Sequence, residues 1–200
     1  MPSEIKEATL AARCQEFADM VARCQITAMN GVAFALEAGM TELVQVLERA
    51  RSKRASVYLI GNGGSAAVAS HLVNDLVKVA HMRASTLHDP SLLTCLANDY
   101  GYDNAYAQAL ARMALPGDVL IAISSSGNSM NIRNAAAQLW GKGGTVVTLS
   151  GFASENALRG LGDLNVWVDS SDYGMVEVGH QFILHHLSDR LGASLQEQTP

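Results

Sequence analysis

Four serines and one glycine fall within six consecutive positions, Ser124-Ser125-Ser126-Gly127-Asn128-Ser129, just after the apolar run Val119-Leu120-Ile121-Ala122-Ile123. A helical pattern follows and runs through Trp140. Helix N-termini expose unpaired N–H groups and the positive end of a dipole, so they hold anions without Lys or Arg. Serine hydroxyls add donors, and Gly127 lets the backbone approach closely. A phosphate ester is the natural ligand of such a loop; the plainer alternative is a polar turn with a serine N-cap. A second loop, Gly61-Asn62-Gly63-Gly64-Ser65, stands in the same relation to the apolar run Ser56-Val57-Tyr58-Leu59-Ile60. It lacks the Gly-Lys-Ser/Thr ending of a triphosphate-binding loop. It matches the dinucleotide fingerprint only in the relaxed form that ends in Ala66, and no acidic residue ends a second strand about 20 residues on. No nucleotide cofactor is expected.

The histidines and acids supply a second kind of chemistry. His71 and Asp75 are four apart on the helix after the first loop and share a face. Glu177 and His180, three apart, share a face of the closing helix, with His185 and His186 farther along. A carboxylate and an imidazole from each of two helices make a metal site or an acid–base set, and solvated structural pairs are the plainer reading. Glu177 stands among Val176, Val178, Phe182 and Ile183, where a carboxylate tends to be paired or to titrate abnormally. Asn98-Asp99-Tyr100-Gly101-Tyr102-Asp103 reads as a loop with an N-cap, and Asp89 before Pro90 as the start of a turn or helix. His81 reads as a surface residue and Cys95 as a small buried hydrophobe.

These groups need a scaffold. The runs at 56–60, 119–123, 145–149 and 165–168 are apolar without alternation, with a shorter edge run near 84–87. Such strands are buried on both faces, which requires helices above and below a parallel sheet. Strand and helix alternate, which gives a doubly wound α/β fold whose ligands bind at the carboxyl rim. Residues 4–50 show helical spacing in Phe17, Met20, Val21 and Cys24 and again in Met40, Leu43, Val44 and Leu47. Two helices are expected there, with no strand, breaking near Asn30-Gly31 or Gly39; Thr41 with Glu42 suggests a helix start. Their apolar stripe suits a subunit interface. The closing helix runs from about Met175 to Leu191. One domain, 1–200, is expected, with 1–54 a helical oligomerisation segment and 55–195 the α/β core.

Composition narrows the function classes. The 200 residues are 48% hydrophobic and 16% charged, with Lys+Arg 14 against Asp+Glu 19 and a net charge of -5. Disorder is excluded, and a nucleic-acid surface lacks the clustered cations it needs. Arg49, Arg51, Lys53 and Arg54 read as cations at a helix C-terminus. No stretch of ~20 apolar residues offers a membrane span, and Met1 to Glu7 has no apolar region of a secretory signal. Three cysteines, Cys14, Cys24 and Cys95, fit neither a disulfide framework nor a cysteine metal site, and suit a reducing cytoplasm.

Taken together, Gly61-Asn62-Gly63-Gly64-Ser65-Ala66 with Ser70-His71, Asn98-Asp99-Tyr100-Gly101-Tyr102, Pro116-Gly117-Asp118-Val119-Leu120 and Ser124-x-Ser126-Gly127-Asn128-Ser129 resemble the sugar isomerase (SIS) domain family. Within it the chain resembles the phosphoheptose isomerases, which act on sedoheptulose 7-phosphate. The resemblance spans about residues 30 to 190. It implies a five-stranded parallel sheet and a homotetramer whose sites draw on neighbouring subunits. It implies substrate contacts from Asn62, Gly63, Gly64 and Ser65, from Asn98 and Asp99, and from Ser124, Ser125, Ser126 and Ser129. Zinc-binding and catalytic positions fall on His71, Asp75, Glu177 and His185. The family carries Glu at the position of Asp75 and Gln at that of Glu177, so the first carboxylate is shorter by about 1.5 Å and the second is added. The base is then either Asp75 or Glu177, passing a proton between C1 and C2 through an enediol, and His180 competes with His185 as the acid. The rival reading is a non-catalytic member, a phosphosugar-sensing or initiator-associating protein, which lacks the carboxylate after its His71-like histidine.

Overall fold

The computed structural model of the protein describes residues 8–196. Its centre is a set of parallel strands: β3 (Ser56–Ile60), β4 (Arg83–Thr86), β5 (Val119–Ser124), β6 (Thr145–Ser150) and β7 (Leu164–Trp167). All six residues of β5 are buried, as its unbroken apolar run requires. From β3 the chain passes through α3 (Gly64–Lys78) to β4 on one side, and later returns to place β5 on the other side of β3. Strand order therefore reverses between β3 and β5, and the glycine loop and the serine loop leave the carboxyl ends of those two strands. That switch point is where open α/β sheets bind ligands.

Helices cover both faces. α2 (Leu36–Ser52), α3 and α7 (Tyr173–Gln196) share one core with Val57, Leu59, Ile121 and Ile123. α4 (Pro90–Tyr100), α5 (Ala105–Met113) and α6 (Met130–Gly141) share the other with Tyr58, Ile60, Leu120 and Ala122. Alternate side chains of each strand thus enter opposite cores. Asp89 N-caps α4, its carboxylate accepting from Leu92 N at 2.9 Å ahead of Pro90. α1 (Leu10–Ala22) lies on α7, with the Phe17 and Phe182 rings edge to face at 6.0 Å. Arg51, in the last turn of α2, donates to the carbonyls of Ala80 and Leu191 and so ties three elements together.

Two expectations for the N-terminal segment are corrected. The sheet has seven strands among the described residues, in the order β2-β1-β7-β6-β5-β3-β4, not five. The extra pair is a hairpin, β1 (Gln25–Ala28) and β2 (Ala33–Phe34), turning at Asn30-Gly31 and joined antiparallel to β7 through Ile26 opposite Val166. Strands this short show no readable period, and β1 is stabilised by its partner. Buried Asn165 of β7 accepts from the Thr148 hydroxyl at 2.7 Å and from Gly162 N at 3.0 Å, and donates to Thr27 O at 3.4 Å. α2 begins at Leu36 rather than Thr41, whose hydroxyl bonds back to Glu37 O. Gly39 lies inside α2, where a Cβ would stand 2.7 Å from Ile26 Cβ, so the close crossing of β1 excludes a side chain. Cys95 is exposed, not buried. No described helix is long and apolar enough to cross a membrane.

Candidate active site at the sheet switch point

The two loops and the start of α7 enclose a cavity of about 260 Å³. Asn62, Gly63, Gly64 and Ser65 line one wall, Ile123 to Ser126 with Ser129 another, and Tyr173 and Glu177 the third. Both helices that point into it start without a side-chain cap, at Gly63 for α3 and Ser129 for α6. The N–H groups of the first two residues of each helix, Gly64 and Ser65 in α3 and Met130 and Asn131 in α6, are thus left for a ligand, while Ala66 and Ile132 bond to Gly63 O and Asn131 Oδ1. Gly63 has φ 54° and Gly127 φ 66°, values that favour glycine. The serine loop is held by Gly127 N on Ser124 O and by Gly151 N on Ser125 O, both at 2.9 Å. Ser124 Oγ lies 3.3 Å from Ser129 Oγ, while Ser125 Oγ is buried with no hydrogen-bond partner. A buried hydroxyl facing no acceptor is costly, and an anionic oxygen would satisfy it.

Glu177 brings a carboxylate to the same cavity. It sits so close to Gly64 that a Cβ there would overlap the carboxyl group, which places the acid at the N-terminus of α3. His180, one turn on, does not join it: the ring is fully buried, with Nε2 3.1 Å from Ser150 O and Nδ1 unpartnered. Burial pushes its pKa down to about 4, against the opposing pull of that carbonyl. Asn98 and Asp99 lie exposed on the last turn of α4, bonded to each other at 3.0 Å, and line no part of the cavity.

His71, Asp75 and His185 do converge. Asp75 Oδ2 is 3.8 Å from His71 Nε2 and 3.1 Å from His185 Nδ1, and the two rings meet edge to face at 4.7 Å. The three ligand atoms lie within 4.8 Å of one another, and Glu177 is not among them. Asp75 Oδ2 is buried yet out of line for a hydrogen bond, so its lone pairs are unspent. An imidazole pair with such a carboxylate fits a divalent cation of the zinc type.

Three residues that sequence reasoning passed over support the glycine loop. The Tyr106 hydroxyl donates to Gly61 O at 3.2 Å, and His88 Nε2 accepts from Gly61 N at 3.3 Å. Burial lowers the His88 pKa, keeping that nitrogen an acceptor. Asn131, buried at the start of α6, pairs with Asn62. Tyr173 is likewise unforeseen; it stacks edge-on against Phe152 at 4.7 Å.

An open α/β sheet with two uncapped helix N-termini at its switch point defines a binder of small anionic ligands. A model described as the SIS domain matches residues 25–151, and the chain belongs to that family. It is similar to a phosphoheptose isomerase of Mycobacterium tuberculosis (strain CDC 1551 / Oshkosh), 40% identical over 149 residues covering 70% of this chain and 74% of that one. A phosphoheptose isomerase of Geobacter sp. (strain M21) is 34% identical over 180 residues, covering 86% and 91%. Among solved structures, phosphoheptose isomerase GmhA from Neisseria gonorrhoeae matches with TM-score 0.78 at 24% identity, covering 92% of this chain and 97% of that one. A phosphoheptose isomerase from Francisella tularensis matches with TM-score 0.80 at 22% identity, covering 96% and 100%. At those identities the two structures speak to the fold.

Proposed function

We propose that the protein is a sugar-phosphate isomerase that converts sedoheptulose 7-phosphate to the corresponding aldoheptose 7-phosphate. The observation that carries this reading is the buried, unpartnered Ser125 hydroxyl in a cavity that also holds one carboxylate, Glu177. The phosphate takes the serine loop and the α6 N-terminus, and the polyol lies along the glycine loop. Remote binding of the phosphate then aligns C1 and C2. Glu177 removes the proton from C1 as the C2 carbonyl oxygen is protonated, giving the enediol. The same carboxyl group returns the proton to C2 as O1 loses its own, leaving the aldehyde at C1. Asp75 and His185, 3.1 Å apart, both lie outside the lining of the cavity, so Asp75 carries no step of the proton path and the pair belongs to the metal cluster. His180, sealed in the core, is left out of the proton path. His71, Asp75 and His185 would hold a zinc-type ion, and the chemistry it would supply is Lewis-acid polarisation of the sugar carbonyl.

The relatives named isomerases do not favour the non-catalytic alternative. Exposed Val178 and Phe182 on α7 form an apolar face suited to subunit packing in a homotetramer. Asn98 and Asp99 would then reach a neighbouring subunit's site. We place the protein in the cytoplasm, where its unpaired cysteines stay reduced.

Turnover of sedoheptulose 7-phosphate in D₂O, with and without zinc, tests the reading. Deuterium should enter at C2 of the product, and Glu177→Gln should cost about 10²–10⁴-fold in kcat. No turnover of any ketose phosphate, or an unchanged Glu177→Gln variant, overturns it.

A further inference from the structure

We propose that Asn131 and Tyr102, neither of which lines the cavity, fix the polarity of Asn62 so that its carboxamide meets the sugar only as a hydrogen-bond donor. This rests on the isomerase reading and adds two positioning residues to it. One group in the pair cannot reverse. The backbone N–H of Ile132 donates to Asn131 Oδ1 at 3.0 Å, which settles which end of that side chain is oxygen. Asn131 Nδ2 must then donate to Asn62 Oδ1, at 2.9 Å, and Asn62 Nδ2 to Asn131 Oδ1, at 3.0 Å. The Tyr102 hydroxyl supplies a second donor to Asn62 Oδ1, at 2.9 Å. Both lone pairs of that oxygen are thereby spent. The one uncommitted position on the Asn62 carboxamide is an N–H.

That polarity suits the reaction. As the C1 proton leaves, negative charge grows on the sugar oxygen at C2, and a fixed donor holds it more strongly in the transition state than in the ground state. A reversed carboxamide would present lone pairs to the same oxygen. Asn131 is 2% exposed, so the pair is set before substrate arrives. The pair also joins the glycine loop to the α6 N-terminus, so a purely mechanical role predicts equal loss for every ligand.

Tyr102→Phe separates the two roles, because Tyr102 is 48% exposed and the loss of its hydroxyl leaves the fold intact. The probes are inorganic phosphate and a 6-phosphohexonohydroxamate, whose planar head copies the C1–C2 enediolate. Tyr102→Phe should weaken the hydroxamate about three- to tenfold and lower kcat by the same factor, with KM and the phosphate affinity changed less than about twofold. Asn131→Ala should act in the same direction and more strongly. Equal weakening of both probes by Tyr102→Phe, or no change in either, overturns the assignment of polarity while wild-type turnover keeps the isomerase reading. A wild-type protein that holds the hydroxamate no more tightly than phosphate overturns both.

Discussion

His180 illustrates how a side chain with catalytic chemistry becomes structural. Its Nε2 faces the Ser150 carbonyl, so the neutral ring carries its proton there, and buried Nδ1 has no acceptor for a second one. Its pKa is held down at about 4, while the unfolded chain titrates near ~6.5. Between those values the unfolded state takes up a proton that the folded state refuses. Stability is therefore complete above about pH 6.5 and falls as the pH drops toward the folded value. We expect a loss of about 2 kcal/mol between pH 7.5 and pH 5 from this residue, read as a lower urea midpoint. His180→Gln should flatten the dependence across that interval. Asp172 also titrates in acid, its pKa lowered chiefly by the Arg13 hydrogen bond, and that loss sets in only as the pH falls into the ordinary carboxylate range. His88, whose pKa burial also lowers, acts in the same direction within the window and remains in the variant, so the difference between wild type and variant is what reports His180. A midpoint that does not move between the two pH values, or that moves equally in the variant, contradicts the assignment.

At the scale of elements, the serine loop depends on a neighbour that its own sequence does not reveal. A Cβ on Gly127 would run into the carboxamide of Asn156, in the segment after β6. Asn156 cannot yield easily: Nδ2 donates to Ser150 Oγ, Gly151 O and Ala153 O, and Oδ1 accepts from Arg159 N at 3.1 Å. Gly127→Ala combines that collision with a left-handed φ, at a cost of roughly 1–3 kcal/mol. Calorimetry with inorganic phosphate should show at least tenfold weaker binding, with a far-ultraviolet spectrum unchanged; unaltered affinity would show that the loop adapts. The same contrast explains what could be read in advance. The central strands were legible because they are continuous apolar runs, and the two loops because small and hydroxyl residues follow those runs directly. The β1–β2 hairpin was not, since strands of four and two residues carry too little pattern to compete with flanking helices. Cys95 was misplaced because its position on α4 does not by itself say which face meets the core. Glu177 and His180 share a face by spacing, yet α7 is turned so that one lines the cavity and the other is sealed. Asn131 and Tyr102 find Asn62 across 69 and 40 residues, separations at which local reasoning has no signal.

For the whole molecule, α7 is the element through which distant parts are coupled. Asp172, just before it, pairs with Arg13 of α1 at 2.7 Å, Arg190 donates to Thr41 of α2 at 2.9 Å, and Leu191 O receives Arg51. The His71–Asp75–His185 cluster adds a junction of another kind, with two donors on α3 and one on α7. A divalent ion held there would bridge helices that the unfolded chain leaves far apart, so its binding free energy adds to folding stability. At zinc one hundred times above its dissociation constant the gain is about 2.7 kcal/mol. For a chain of 200 residues each kcal/mol raises Tm by about 2–4 °C, so zinc should lift the midpoint by about 5–11 °C over the same protein in chelator. His185→Ala breaks the bridge while leaving both α3 donors, and should remove most of the shift. Glu177→Gln lies outside the cluster and should retain it, which separates the metal junction from the proton carrier. Identical melting in zinc and in chelator, or a shift that survives His185→Ala, would mean that the three side chains meet for packing and hold no ion.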